Sequence, residues 1–150
     1  MRLLIQRVKT ASVRSADYGS ASIGGGLLIF IGIEDADETG DLEWLCGKVA
    51  RLRVFDDADG VMNLSVMETT GQLMVISQFT LHASTKKGNR PSYIKAATPD
   101  KAIPLYEAFV KRLKDETGLQ VETGWFGAHM EVELINDGPV TIIIDSRNRE

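Results

Sequence analysis

At 150 residues, with 43% hydrophobic and 25% charged residues, the chain has the length and composition of one globular domain that can close a core. The N-terminal run Met1-Arg2-Leu3-Leu4-Ile5-Gln6-Arg7 is charged and lacks the roughly 7 to 15 apolar residues of a signal peptide, and the longest apolar run, residues 27–33, is broken by Gly32 and far short of a bilayer span. The expectation is a soluble cytoplasmic protein, and a net charge of −4 argues against a general nucleic-acid binder.

In chain order, residues 2–8 alternate loosely and residues 26–33 form a β-branched apolar run, so both read as strands, the second central. Gly24-Gly25-Gly26 lacks the following helix and the Lys-Ser or Lys-Thr pair of a phosphate loop, and reads as a tight hairpin turn. Leu42, Leu45, Cys46, Val49 and Leu52 recur at helical spacing and predict an amphipathic helix between Glu38 and Arg53. Cys46, the single cysteine, falls on its apolar face as a buried inert thiol. Asp56-Asp57-Ala58-Asp59-Gly60 is turn chemistry, and residues 72–77 return to strand character. Thr98-Pro99-Asp100 has the order of an N-cap, a first-turn proline and a dipole-facing acid, followed by Ala102, Leu105, Phe109 and Leu113 on one face until Gly118. Pro104 inside that helix predicts a kink or a delayed start. Three strands close the chain at residues 119–123, 130–135 and 140–145, with Asn136-Asp137-Gly138-Pro139 as a turn between the last two. Together these give a single mixed α/β domain over residues 1–150, its largely β core barrel-like or in layered sheets and covered by two helices.

The charge is unevenly placed. Of the 17 basic residues, Arg2, Arg7, Lys9 and Arg14 lie in an acid-free N-terminal stretch, and Lys86, Lys87, Arg90 and Lys95 lie in a second one at residues 81–97. Two solvated faces account for this as well as local gripping of an RNA end does. His82 and His129 have no Cys, Asp or Glu at ligand spacing, which argues against a metal site. Ser77 and Thr80, at the end of a buried strand, are hydroxyl candidates without a GxSxG elbow, and a strand-end hydroxyl is more often structural than nucleophilic. The loop Lys86-Lys87-Gly88-Asn89-Arg90-Pro91 fits a phosphate clamp or a solvated loop. Gly138-Pro139 is the dipeptide where a cis bond is cheap, although an ordinary trans turn fits it too.

As a set, Ser77-Gln78-Phe79-Thr80-Leu81, Lys87-Gly88-Asn89-Arg90-Pro91-Ser92 and Asn136-Asp137-Gly138-Pro139-Val140-Thr141 closely resemble the D-aminoacyl-tRNA deacylase family. The resemblance extends over nearly the whole chain, through Ile5-Gln6-Arg7-Val8, Ala11-Ser12-Val13 and Met62-Asn63-Leu64-Ser65; His82 and His129 depart from the family pattern outside the two main motifs. It implies a homodimer in which a cis Gly138-Pro139 enters the partner's active site, faces Ser77 to Leu81 there and excludes the side chain of an L-amino acid, while glycine passes. The implied reaction is hydrolysis of the ester of D-aminoacyl-tRNA, without cofactor or metal and without a membrane.

Within that framework, backbone N–H groups of Phe79 and Thr80 are expected to stabilise the oxyanion, and water is favoured over Thr80 as the attacking group. The ribose hydroxyl of the terminal adenosine assists. Ser77 and Gln78 shape the pocket, Arg7 holds the Gly-Pro loop, and Asn136 and Met130 support the site. Phe79 and Phe126 either bound the adenosine or fill core, and Lys86, Lys87 and Arg90 meet tRNA phosphates. A non-catalytic RNA-end binder and a small-molecule esterase are the alternative classes.

Overall fold

The longest alternating pattern in the chain forms the longest hairpin. In the computed structural model, which describes residues 1–149, β1 (Arg2–Ser15) turns at residues 16–18 into β2 (Gly19–Ile23) and then β3 (Gly26–Gly32). Both return strands pair antiparallel with β1 in one unbroken register, Ala11 opposite Ile23 and Val8 opposite Gly26. The three glycines are therefore not the expected hairpin turn, because the chain does not reverse there. They lie where the return strand passes close to β6 (Gln72–Ser77): a Cβ on Gly26 would stand 1.8 Å from the Gln72 carbonyl oxygen, and Gln72 Oε1 accepts the Gly24 N–H at 2.6 Å. Glycine is needed for that approach.

β3 pairs in parallel with β6, and β6 in parallel with β7 (Val121–Thr123). Buried on both faces, β3 and β6 read as continuous apolar runs rather than alternating ones. On the other side of β1 runs β8 (Glu131–Asp145), antiparallel along almost the whole of β1. Here a second expectation fails. Asn136 to Pro139 does not join two strands but bulges from a single one, with the register slipping on either side of Val8. The side chain of Asn136 spans the bulge: its Oδ1 accepts the Val140 N–H at 2.8 Å and its Nδ2 donates to the Val140 carbonyl at 3.1 Å. The amide thus supplies the pairing that a turn would have supplied, and the strand resumes its line.

Two helices cover one face of this mixed sheet. Helix α1 (Thr39–Arg51) starts at a reciprocal Glu38 and Asp41 capping box and buries Leu42, Leu45, Cys46, Val49 and Ala50. Helix α2 (Pro99–Thr117) follows N-cap Thr98, buries Ala102, Tyr106, Phe109, Val110 and Leu113, and stops at Gly118 in the left-handed region. Its start is not delayed by Pro104. That proline lies on the exposed side, and Asp100, whose carbonyl loses an N–H partner to it, is an exposed residue too. Beneath the helices lies the larger core cluster, centred on Leu3, Ile29, Leu73 and Phe109; the other side of the curved sheet holds a second one of Val8, Val13, Leu28, Met74 and Ile76. A small ribbon, β4 (Phe55–Asp56) and β5 (Met62–Leu64), turns as expected, with Asp57 Oδ1 accepting the N–H groups of Asp59 and Val61. The result is a single α/β domain with a nearly closed sheet and two helices. Among the described residues, no helix is long and apolar enough to cross a membrane.

Candidate active site

β6 ends where its pairing with β3 ends. Ile31 is opposite Ser77, the Gln78 N–H still donates to the Ile31 carbonyl at 2.8 Å, and the chain then winds into a single 3-10 turn, Phe79–His82. The turn is closed by Leu81 N–H to the Gln78 carbonyl (3.2 Å) and followed by Ala83 N–H to the Thr80 carbonyl (3.0 Å). As its first two residues, Phe79 and Thr80 have no acceptor within the turn for their own N–H groups. Gly32 lets the turn sit against β3, since a Cβ there would be 2.9 Å from Leu81 Cβ and 3.1 Å from the Gln78 carbonyl.

Beside the turn opens a cleft of about 310 Å³. Ser77, Gln78 and Phe79 form one wall, and Phe126, His129 and Met130, from the loop between β7 and β8, form the opposite one. Ile31, Ile33 and Ala102 add apolar lining. Phe79 is 55% exposed and meets the ring of Tyr93 edge-on at 5.0 Å, so it is a rim group rather than core. Phe126 meets Tyr106 edge-on at 5.9 Å, and the Tyr106 hydroxyl donates to the Val75 carbonyl at 2.9 Å. Burial pushes that phenol up to about 12, so it remains a donor and keeps Tyr106 in place against Phe126. Thr80 is not part of the lining; its Oγ1 accepts a hydrogen bond from Gln78 Nε2. His82, at the end of the turn, is buried, with Nδ1 3.9 Å from Glu34 Oε2.

The Gly138-Pro139 segment is elsewhere in the chain's own fold. It is exposed, its peptide bond is cis, and neither residue lines the cleft. Arg7 anchors it. That guanidinium is only 7% exposed; its Nε donates to the Asp137 carbonyl at 2.8 Å, and its Nη1 donates to the Val54 carbonyl at 2.6 Å and to Asp56 Oδ1 at 3.3 Å. With the Asn136 clasp, this fixes the bulge at both ends.

Lys86, Lys87 and Arg90 are exposed on a loop pinched by paired Ser84 and Ser92 backbones, with Gly88 at φ 72°. Tyr93, just past that loop, links it to Phe79 at the mouth of the cleft. Among the described residues no three His, Cys, Asp or Glu side chains gather as a metal would require.

Sequence reasoning thus found Ser77, Gln78, Phe79, Phe126 and Met130, which the fold brings together, and Arg7 and Asn136, which meet at the bulge. It missed Tyr93, His129 and Gly32 as parts of the site. A glycine ending an apolar strand is a signal of close backbone approach that points to Gly32; nothing local marks the other two.

A family model described as D-Tyr-tRNA(Tyr) deacylase matches residues 4–145. A D-aminoacyl-tRNA deacylase of Flavobacterium johnsoniae is 59% identical over 150 residues, all of both chains. Among solved structures, a c-Myc DNA unwinding element binding protein is 35% identical with a TM-score of 0.91, covering 97% of this chain and 98% of its own. One described as a probable eukaryotic D-amino acid tRNA deacylase shares the fold at 16% identity with a TM-score of 0.83, over 95% and 97% of the two chains. With the motifs, the cleft and the anchored bulge in place over that whole length, the chain belongs to the D-Tyr-tRNA(Tyr) deacylase family.

Proposed function

We propose that this chain is a hydrolase that cleaves the ester bond of D-aminoacyl-tRNA, releasing the free D-amino acid and tRNA and so correcting chirality before translation. Its place of action is the cytoplasm, where charged tRNA is used. The observation that carries the reading is the pairing of an open cleft beside the Ser77 to Leu81 motif with a rigidly anchored, exposed Gly138-Pro139 bulge that the same chain does not use.

The active unit is a homodimer in which each bulge completes the other subunit's cleft. Exposed Ile135 and Ile143 (57% and 67%) flank the bulge on β8 and support an apolar contact between copies. The bulge carbonyls meet the α-amino group and leave no room for an L side chain, so the filter rejects by exclusion and lets glycyl-tRNA through. Water attacks the ester carbonyl carbon, the N–H groups of Phe79 and Thr80 receive the developing oxyanion, and the bond to the ribose oxygen then breaks. The departing ribose oxygen ends protonated, aided by the neighbouring ribose hydroxyl, and the product acid releases its proton to solvent. The Thr80 hydroxyl accepts from Gln78 Nε2 and, among the described residues, bonds to no histidine or carboxylate, which supports water rather than Thr80 as the nucleophile. Ser77 and Gln78 shape the acyl pocket, Phe126 and Met130 border the adenosine, and Lys86, Lys87 and Arg90 hold phosphates.

The test is amino-acid release from D-tyrosyl-, L-tyrosyl- and glycyl-tRNA with the purified protein. Release from the D and glycyl substrates and none from the L substrate is expected. Binding without turnover would make the protein an RNA-end binder, and equal cleavage of free amino-acid esters would make it a general esterase.

A further inference from the structure

The loop that forms one wall of the cleft also walls a second depression. Its other side, the turn after β1 and one flank of α2 enclose a groove of about 570 Å³. There Tyr18 and Trp125 stack at 5.8 Å between centroids with their planes 16° apart, and Tyr18 is 62% exposed. Tyr18 belongs to a hairpin turn and to neither core cluster, so burial does not account for it. Phe126 lines both the groove and the cleft, so the two share a wall one side chain thick. On the α2 flank, Lys111 is tied to Asp115 at 2.7 Å, Glu107 is the acid, and Lys114 has no ion pair among the described residues.

Flat aromatic faces beside an unpaired cation are what single-stranded nucleic acid requires, because every base has a π-face and every nucleotide a phosphate. A strand whose last nucleoside occupies the cleft leaves it past Phe126 or past Phe79. The Phe79 side offers an edge-on ring pair, with planes 74° apart, and a basic loop. That arrangement suits gripping a backbone and presents no pair of parallel ring faces. The Phe126 side gives the platform.

We propose that the groove receives the unpaired nucleotides preceding the terminal adenosine of the substrate, with Tyr18 and Trp125 stacking a base and Lys114 meeting a phosphate. This rests on the deacylase reading and adds to it a division of labour. The cleft takes the acyl-adenosine, and the groove takes the strand behind it.

Tyr18→Ala, Lys114→Glu and Trp125→Ala are compared with wild type on D-tyrosyl-tRNA and on D-tyrosyl-adenosine, which lacks the preceding nucleotides. Tyr18 and Lys114 are exposed, so their variants keep the test valid if the Trp125 variant folds poorly. Each is expected to raise KM on the tRNA about tenfold, about 1.4 kcal/mol and for the two aromatic variants within the range for a base stacked on a ring, while hydrolysis of the nucleoside ester is unchanged. Separately, in a Trp44→Phe background, Trp125 emission should be quenched by a short single-stranded RNA ending in adenosine and not by adenosine alone. Equal losses on both substrates, no loss on either, or no quenching by the RNA would overturn the groove assignment. Wild-type protein that hydrolyses neither substrate would instead sink the deacylase reading, and the quenching experiment would still decide the groove.

Discussion

Gly138→Ala adds one carbon where the structure has no room for it. Gly138 has φ 149°, a region that side chains of L-residues rarely adopt, and a Cβ there would lie 2.8 Å from both the backbone nitrogen and Cγ2 of Val140, and 3.4 Å from Arg7 Nη2. Neither neighbour is free to retreat. The Val140 N–H is held by Asn136 Oδ1 at 2.8 Å, and Arg7 is held by the Val54 and Asp137 carbonyls. Backbone strain of this kind costs about 1–3 kcal/mol, and a hydrogen bond surrendered to relieve it costs about 1 kcal/mol more. A net cost of about 2 to 4 kcal/mol lowers Tm by roughly 4 to 16 °C in a chain of this size. It leaves a typical domain folded at 25 °C. The bulge, however, must move, and if it is the chiral filter D-aminoacyl-tRNA turnover falls at least about tenfold, the equivalent of about 1.4 kcal/mol in the barrier. Gly118→Ala is the control, with φ 65° at the end of α2, open space around its Cβ and a similar strain, but no place in the site. Both variants are followed by thermal unfolding and by release from D- and L-tyrosyl-tRNA. A folded Gly138→Ala protein with wild-type rate and selectivity would refute the assignment of the bulge.

Thr80→Ala is expected to lose activity only partly, since its hydroxyl serves Gln78 and its N–H remains; an acyl-enzyme trapped on Thr80 in the wild type would reverse the choice of nucleophile. Lys87→Ala with Arg90→Ala should weaken tRNA binding and flatten its salt dependence, the slope of log K against log salt falling by about 1.4 to 1.8 for two phosphates, with the D to L ratio unchanged. A collapsed ratio would place that loop in the acyl pocket. Cys46 is fully buried, with Sγ 3.6 Å from the Phe109 carbonyl oxygen, and burial pushes its thiol up to about 12. It should resist thiol reagents at pH 8 until the chain is unfolded. Because the folded thiol keeps its proton to about pH 12 and the unfolded one loses it near 9, its contribution to stability is intact below pH 9 and lost as pH rises towards 12. Rapid labelling of the native protein would contradict that burial.

The helices were legible because their signals are local. Apolar spacing, the Glu38 start, Thr98-Pro99 and Gly118 each act within a turn or two, and α1 and α2 begin and end where these residues stand. Strands were legible as runs but not as partners. Gly24 to Gly26 and Asn136 to Pro139 were both expected as reversals, whereas the chain goes straight on through each, and the real reversal at residues 16–18 has no Asn-Gly or Gly-Pro to announce it. Glycine and proline report what a backbone must do at one residue. Whether the chain turns back depends on the strand beside it, here β6 against Gly26 and β1 against the bulge. The cleft has the same division. Its Ser77 to Phe79 wall lies on one motif, but Phe126 and Met130 join it only through the pairing of β6 with β7, which no local spacing encodes.

The bulge is held from two sides. Arg7 fixes its start to β1 and Asn136 closes its base, so it is attached to the sheet edge as a rigid projection and cannot act as a lid that swings into its own chain's cleft. A site that uses both the bulge and the cleft must then draw them from two copies, and a twofold contact makes two such sites. This makes a prediction that a single-chain site does not share. Mixing Gly138→Ala, damaged in the bulge, with Phe79→Ala, damaged in the cleft, and allowing subunits to exchange gives a population about half of which is mixed dimers. Each mixed dimer pairs one intact bulge with one intact cleft, while its other site carries both defects. Activity at equal mixing should therefore exceed the average of the two parents by up to about a quarter of wild type, the full quarter being reached where both parents are inactive. If site and bulge act within one chain, every chain in the mixture remains damaged, and activity stays at the average of the two parents.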